Sequence, residues 1–526
     1  MKHLIAYDIG TTGVKTCLFV VDDSIRLLGY AEKSYPLYIL DNGGAEQDGD
    51  DWWNAMCQTT RQVLEKTGIA PEQVAGVSFC SQMQGLVLVD KEGIPVHRPM
   101  SYMDQRAKEE IRKGIAHGIQ IAGANVIKLI KSLIITGAVS GSVKDPVWKY
   151  KWVEAHEPEN FARAYRWLDV KDYLISRCTG RFAVTQDSAF ATLLYDTRKG
   201  HRGWSKTICN MLGVNMDHLP EIIQSTDLVG GLTAKAAAEL GLPEGTGVYG
   251  GGGDSSLIGV GAGCVNPGDT HIYWGTSGWV ITVTEKQMVD VTAMIAAIVG
   301  AQSDKFNYFA EMETAGKCLE WAKVHLAEDG LDYYGSKAPA EGNAYAILTR
   351  AAEQIPAGSD GLIFTPWLHG NRCPFEDPNA SGMFFGLKLD TTKAQMVRSV
   401  LEGVCYHLRW MLESQDKMLK TGDPIRFVGG GAKSPEIAQI LADITGRRIE
   451  TVESPQNVGS VGAAAVMAVG MGIIPSLEHV QSFIRVTRTY EPNMANHQVY
   501  DRHYKVFRKI YQSNRKLYAA VSQEGK

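Results

Sequence analysis

The sequence has little of what would place it outside the ordinary globular class. Its nine cysteines are odd in number, scattered, and include no C-x-x-C pair. That excludes a disulfide framework and a thiolate metal site, and it fits reduced thiols in a cytosolic chain. No run of Lys and Arg stands out, and 53 basic against 58 acidic residues give a net charge of −5. The electrostatic footprint of a nucleic-acid binder is therefore missing. No strongly apolar stretch reaches the ~20 residues of a membrane span. The longest uncharged run, 457–477, is rich in Gly and Ala and reads as a packed helix. Met1-Lys2-His3 leads straight into an apolar strand with Asp8 close behind, so no secretory signal is expected and the expected location is cytoplasmic.

What is present is a chain of 526 residues, room for about three domains or two large ones. Hydrophobic residues at 44 % and charged residues at 21 % rule out disorder and a coiled coil. Glycine is in excess, 55 residues against a usual share of ~7 %, which points to tight turns and close backbone approach.

Organisation follows from the pattern of segments. A short strand at 4–7 turns through Gly10-Thr11-Thr12-Gly13 and resumes at 16–21, a hairpin pattern. A helix is expected over 51–65, strands over 74–80 and 85–90, and a largely helical region over 105–225 with Trp148, Trp152 and Trp167 as anchors. Residues 228–231 and 240–245 read as loops. A strand at 247–249 precedes the run Gly250-Gly251-Gly252-Gly253. The chain then starts again: strand 270–273, turn Trp274-Gly275-Thr276-Ser277-Gly278, strand 279–284. The second hairpin lies about 265 residues after the first, and a repeat fixes architecture. The division is expected at Pro267-Gly268, giving domains 1–266 and 267–526. Further on, Thr392 and Gln395 form a capping box for a helix over 392–418 whose buried stripe includes Val397, Leu401, Val404 and Leu408. A strand at 425–428 runs into Gly429-Gly430-Gly431, with a helix from Ser434-Pro435. The basic stretch 502–516 carries Tyr504, Phe507, Ile510 and Tyr511 at helical spacing and reads as a closing amphipathic helix.

Four elements could carry chemistry. Asp8-Ile9-Gly10-Thr11-Thr12-Gly13-Val14-Lys15 offers an acid, amide donors, two hydroxyls and a cation, the parts needed around a metal-bound triphosphate. Val14 separates Gly13 from Lys15 and a strand follows, so this is not a P-loop. The bland alternative is a plain hairpin turn. The second hairpin repeats the Gly/Thr turn. In the glycine run, Asp254 follows at once, placed either to accept a hydroxyl proton or to cap a helix starting at Ser255. The strand–triple-glycine–helix at 425–435 can cradle a nucleotide on bare backbone.

Together these elements resemble the FGGY family of carbohydrate kinases, and within it the xylulokinase-like members. The resemblance runs through nearly the whole chain in order, from Asp8–Lys15 through Ser81-Gln82-Met83-Gln84-Gly85, Asp104-Gln105-Arg106, Gly253-Asp254 and Gly275-Thr276-Ser277 to Asp377-Pro378, Leu401-Glu402-Gly403 and the 429–434 loop. It implies an α/β fold of two ribonuclease-H-like, actin-like domains from a duplicated unit with a cleft between them. It also implies ATP with Mg²⁺, and transfer of the γ-phosphate to a sugar hydroxyl. Carried over residue by residue, Asp254 is the catalytic base. Asp8 and Asp254 are the metal-associated acids, acting partly through water. Thr11, Thr12, Lys15, Gly275, Thr276, Gly430, Gly431, Ala432 and Ser434 contact the nucleotide. Met83, Gln84, Gly85, Asp104, Arg106 and Asp254 face the sugar.

Three positions depart from the family pattern: Gln84 where His is usual, Asn371 where Glu often precedes Arg372, and Ser255 where Asn often follows the base. Gln cannot take a charge, so the hydroxyl pattern recognised can differ. Glycerol kinases place Arg-Glu at Met83-Gln84, which disfavours glycerol. The expected substrate is a ketopentose such as D-xylulose, with ribulose or an erythritol-type polyol as alternatives. Two rivals are a non-catalytic actin/Hsp70-like ATP switch and a sugar sensor. The expected partner is a small sugar, with neither nucleic acid nor membrane. Dimers are common in the family, and a homodimer is the one assembly the resemblance suggests.

Overall fold

The strand that opens the chain, Lys2–Ile9, is apolar on both faces: Ile5, Tyr7 and Ile9 lie on one, Leu4 and Ala6 on the other, all buried. Such a strand needs cover on both sides. One face joins the core that includes Trp52, Met56 and Val63 of the helix Gly49–Thr67, and the Tyr7 hydroxyl pairs with the Thr60 hydroxyl at 2.9 Å. The other face is covered by Val458–Gly470, a helix from far along the chain, through Val458, Val461 and Ala464. The uncharged run is therefore a helix buried inside the protein.

The computed structural model describes residues 1–115, 118–121, 124–326 and 344–524, and builds two large sheets. The first is ordered Ile25–Ser34, Gly13–Val21, Lys2–Ile9, Val74–Ser81, Gly247–Tyr249, Leu228–Gly231, with Gly252–Gly253 also pairing to Val74–Ser81. The second runs Phe306–Met312, Gly278–Thr284, Thr270–Trp274, Ile425–Val428, Ile449–Val452, Val486–Tyr490, extended beyond Phe306–Met312 by Ile295–Val299 and Val289–Asp290. Read in this order, the two six-strand series have the same pairing: antiparallel, antiparallel, parallel, parallel, antiparallel. The duplication visible in the sequence as one short hairpin thus extends across both sheets.

The halves meet through two helices, Asp254–Gly261 and Val458–Gly470. They cross so closely that a Cβ on Gly261 would lie 1.9 Å from the Val458 carbonyl oxygen, and one on Gly462 2.1 Å from that of Leu257. Glycine is needed at both points because backbone meets backbone.

Three expectations are corrected. Leu228–Gly231 is an edge strand paired with Gly247–Tyr249, and its glycines disguised it as a loop. The region 105–225 is only partly helical. Helices such as Pro146–His156 and Val170–Thr179 alternate with short pairs, among them Ala183–Thr185 with Glu221–Ile223 and Tyr195–Asp196 with Gly203–Trp204. Of the three tryptophans expected as anchors there, Trp148 and Trp167 are buried, and Trp152 is half-buried against the same core. The strand Ile25–Ser34, absent from the sequence reading, extends the first sheet. The capping box at Thr392 and Gln395 forms as expected at the start of Lys393–Asp416. The closing helix, Met494–Glu524, buries Tyr504, Phe507, Ile510 and Tyr511. Among the described residues no helix is long and apolar enough to cross a membrane.

Candidate active site

In the first hairpin Asp8 pairs across the strands with Lys15. The carbonyls of its turn are tied down from behind. The Tyr35 hydroxyl donates to Gly10 O at 2.5 Å and Gly13 O at 3.0 Å, and Gln47 Nε2 donates to Thr11 O at 2.7 Å. Gln47 is in turn held by Gln82 Nε2 at 2.8 Å. Fixing the carbonyls fixes the turn, and Thr12 at its tip is exposed. Lys15 Nζ reaches Asn457 Oδ1 at 3.0 Å and Glu32 at 3.1 Å, which links the first hairpin to the second half. Burial pushes the Asp8 carboxyl up to about 6, with Lys15 pulling the other way.

The second hairpin is anchored differently. Its Gly275 and Thr276 carbonyls accept from Gly316 N at 2.8 Å and Ala315 N at 3.1 Å, at the start of the helix Gly316–Leu326. A Cβ on Gly275 would lie 2.2 Å from the Tyr273 hydroxyl oxygen, and Tyr273 stacks on Trp279 with ring centres 3.9 Å apart. Gly275, Thr276, Gly430, Gly431 and Ser434 line one cavity of about 650 Å³, together with Gly316, Lys317, Tyr345 and Glu436, which sequence reasoning missed. Ala432, expected beside them, is buried beneath. Ser434 caps the helix Pro435–Thr445 by accepting from Ile437 N at 3.2 Å. The cavity therefore lies between a hairpin and a helix N-terminus, a setting suited to an anionic ligand.

Asp254 is the first residue of its helix, and Gly253 occupies the cap position, so the helix begins one residue earlier than expected. The Asp254 carboxylate accepts from its neighbour Ser255 N at 2.7 Å. The glycine run serves packing first. A Cβ on Gly251, whose φ is +64°, would strike the Phe79 carbonyl oxygen at 2.1 Å, and one on Gly253 would lie 1.9 Å from Met83 Sδ. Gly253 N donates to the buried Asp187 carboxylate at 2.8 Å. These contacts set Met83 beside Asp254, and Ser255 Oγ donates to Met83 Sδ at 3.3 Å. Surrounding protein pushes the Asp254 carboxyl up to about 7, and the charges of Asp8, Glu311 and Asp169 add to the rise. Its side chain nevertheless keeps some exposure. A carboxyl held near neutrality in a part-open position suits proton transfer.

Gln84 follows Met83 with a φ of +61°. Asp104 and Arg106 are wholly engaged by protein groups. Arg106 Nε donates to Asp104 at 2.9 Å, its Nη2 reaches Glu46 at 2.7 Å, and Asp104 also accepts from Ala45 N at 2.8 Å. The guanidinium lies 4.8 Å over Trp152. Both side chains are buried, and Asp104 lies within the field of Lys149, whose Nζ donates to the Gln84 carbonyl. Asn371 is spent inside its own loop, donating to Cys373 O at 3.0 Å and Phe375 O at 2.8 Å, while Arg372 pairs with Glu311 at 2.9 Å. A larger cavity of about 790 Å³ opens between Pro267–Thr270 and Thr421–Pro424. Within its lining Arg447 is bonded to Thr421 O and Gly422 O, and Asp269 accepts from Val265 N and Asn266 N.

Residues 3–261 match the N-terminal domain of the FGGY family of carbohydrate kinases, and residues 271–471 match its C-terminal domain. The chain is 29 % identical to a xylulose kinase of Bacillus subtilis over 523 residues, 99 % of each chain. It is 27 % identical to a gluconokinase of the same organism over 497 residues, 93 % of this chain and 92 % of that one. The crystal structure of a xylulose kinase from Rhodospirillum rubrum superposes with a TM-score of 0.82 at 26 % identity, covering 98 % of this chain and 100 % of that one.

Proposed function

We propose that this chain, which belongs to the FGGY family of carbohydrate kinases, transfers the γ-phosphate of ATP to a hydroxyl of a ketopentose of the D-xylulose type, with Asp254 as general base. The observation that carries the reading is the place of Asp254: a carboxyl lifted to about 7, beside Met83 and within the field of Asp8. The sugar hydroxyl oxygen attacks the γ-phosphorus as its proton passes to Asp254, and the bond from that phosphorus to the bridging oxygen of ADP breaks. The cavity between the second hairpin and the Gly430–Lys433 turn takes the nucleotide, and the amides of both hairpin turns take phosphate oxygens. Most of the acceleration comes from holding the two reactants in line.

Asp8 and Asp254 offer hard oxygen donors and repel one another, which fits a divalent cation. When bound, Mg²⁺ supplies neutralisation of phosphate charge.

The acids also bear on the substrate. Three cations near the site are committed: Lys149 to the Gln84 carbonyl, Arg106 to Asp104 and Glu46, Arg372 to Glu311. With Asp254 in the field of Asp8, Asp169 and Glu311, a neutral ketose is favoured over an anionic aldonate such as gluconate. The test is ADP release with MgATP across ketoses, aldoses, polyols and gluconate, with Asp254→Asn as blank. Turnover with one ketopentose that vanishes in the variant supports the reading. Turnover with gluconate alone, or equal turnover in the variant, overturns it.

A further inference from the structure

Gln84 is in a backbone conformation that a residue with a side chain rarely adopts, at φ +61°. Strain of this kind persists only where the surroundings enforce it, and here they do so with charge. The Asp169 carboxylate accepts from Gln84 N and from Gly85 N, each at 3.0 Å, while also capping its own helix at Val170 N. Lys149 Nζ donates to Gln84 O at 2.7 Å. Lys149 is fully buried, and among the described residues this is its one hydrogen bond, although Asp104, Asp169 and Asp145 lie within its field. Gly85 fits the same arrangement, since a Cβ there would lie 2.9 Å from Asp169 Oδ1. Both peptide groups flanking Gln84 are thus held by ionic side chains from two different helices, Pro146–His156 and the cap of Val170–Thr179. The Gln84 carboxamide, by contrast, has no hydrogen-bond partner among the described residues, and its neighbour Met83 touches the residues flanking Asp254.

We infer that Lys149 and Asp169 are positioning residues that hold Gln84 in the left-handed conformation, so that its free carboxamide is presented to the sugar. A buried ammonium committed to one carbonyl is a poor device for stability alone, because desolvation opposes it. A carbonyl fixed by a charged donor is a good device for aiming one side chain. The inference rests on the assignment of Met83-Gln84-Gly85 to the sugar.

The test compares wild type with Lys149→Met, which keeps length and removes the donor, with Lys149→Arg, and with Asp169→Asn. Each is assayed with the best-used ketose of the panel and, separately, with varied MgATP. The loss of one charged hydrogen bond predicts a fall in kcat/KM for the sugar of about 10- to 100-fold in Lys149→Met, carried mainly by KM, with partial recovery in Lys149→Arg and the KM for MgATP within about twofold. The second arm repeats Lys149→Met in a Gln84→Gly background, where glycine adopts φ > 0 without strain. There the additional loss shrinks to about twofold or less, because nothing is left to aim. An unchanged sugar KM, a parallel rise in MgATP KM, or the same loss in both backgrounds overturns the inference. Amide hydrogen exchange of the segment 82–86 gives a readout independent of turnover. It rises in Lys149→Met and Asp169→Asn if the clamp is real, and unchanged exchange overturns it. If wild type uses no sugar in the panel, the assignment of substrate fails while the exchange result still judges the clamp.

Discussion

Asp254→Asn removes the proposed base and at the same time a charge the fold holds at a cost, so it should make the protein slower and more stable together. The carboxyl rises from 3.8 to about 7 through burial, with Asp8, Glu311 and Asp169 adding to it. At full burial that displacement equals about 4 kcal/mol. The side chain keeps some exposure, and solvent reduces the figure to about 1–2 kcal/mol. The sign is fixed by linkage. From about pH 4 to about pH 7 the folded chain keeps a proton on Asp254 that the unfolded chain has released. The cost therefore grows across that window and is complete above it. Asn pays nothing at any pH. Tm of the variant should exceed that of wild type by about 2–8 °C at pH 8, given ~2–4 °C per kcal/mol for domains of this size, and by a smaller margin at pH 4.5, where only part of the cost has developed. Buried acids outside the field of Asp254 titrate equally in both proteins and cancel. Turnover should fall by about 10²–10⁴, and kcat/KM of the wild type should drop as pH falls through about 7. Calorimetry at the two pH values and a coupled ADP assay suffice. A variant that loses stability at pH 8, or that turns over normally, would refute the placement of Asp254 as a buried, functional base.

Three further outcomes follow from single contacts. Gly275→Val drives a Cβ into the Tyr273 hydroxyl in the lining of the proposed nucleotide cavity, so KM for MgATP should rise about tenfold or more while the KM for the sugar moves little; kinetics with each substrate varied decide it. Gln84→His restores the usual family residue, and the ranking of ketopentoses and polyols in the panel should change; an unchanged ranking would make Gln84 scaffold. All nine cysteines are free and buried. Titration with a thiol reagent should therefore find almost none in the native protein and nine after guanidinium, and prompt native labelling of several would contradict the packing described.

How much of this the sequence displayed depended on whether the signal was local. The hairpins, the capping box at Thr392 and the cap at Ser434 were readable because each is written within a few residues. The strand Ile25–Ser34 was not, since toward its end it is exposed on both faces and carries Arg26, Glu32 and Lys33, leaving too little apolar alternation. Leu228–Gly231 was hidden by its two glycines. The glycine run before Asp254 was legible as a place of close approach, yet what approaches is Phe79 and Met83, and no local pattern identifies a partner more than 160 residues away. Lys149 and Asp169 were invisible for the same reason. A lysine in an apolar helix and an aspartate before another read as anchors and caps until the fold brings both to Gln84, 65 and 85 residues distant.

Duplication also explains why the molecule has two cradles and one set of acids. Aligning Gly10 with Gly275 places Tyr273 opposite Asp8, and the cross-strand register, with a second turn one residue shorter, places Trp279 opposite Lys15. The crossing helices correspond as well, and where the first opens with Asp254 the second is preceded by Asn457. The second half therefore keeps the turn, the glycines and the helix, but it has exchanged each ionisable group for one that carries no charge at neutral pH. Those neutral residues have not become idle. Asn457 holds Lys15 at 3.0 Å, and Tyr273 stacks on Trp279 beside the proposed nucleotide cavity. Two facing sets of carboxylates would have repelled one another and the triphosphate between them. With Asp8 and Asp254 both in the first half, that half can supply the proposed base and metal ligands, and the hairpin of the other half can offer its turn to the nucleotide. The asymmetry makes a reciprocal demand. Tyr273→Asp would place an acid under Gly275, within the field of Asp8 and Asp254 that already reaches Tyr273, and it should weaken MgATP binding far more than Tyr273→Phe, which keeps the ring. Equal effects of the two substitutions on the KM for MgATP would show that charge has no part in the division.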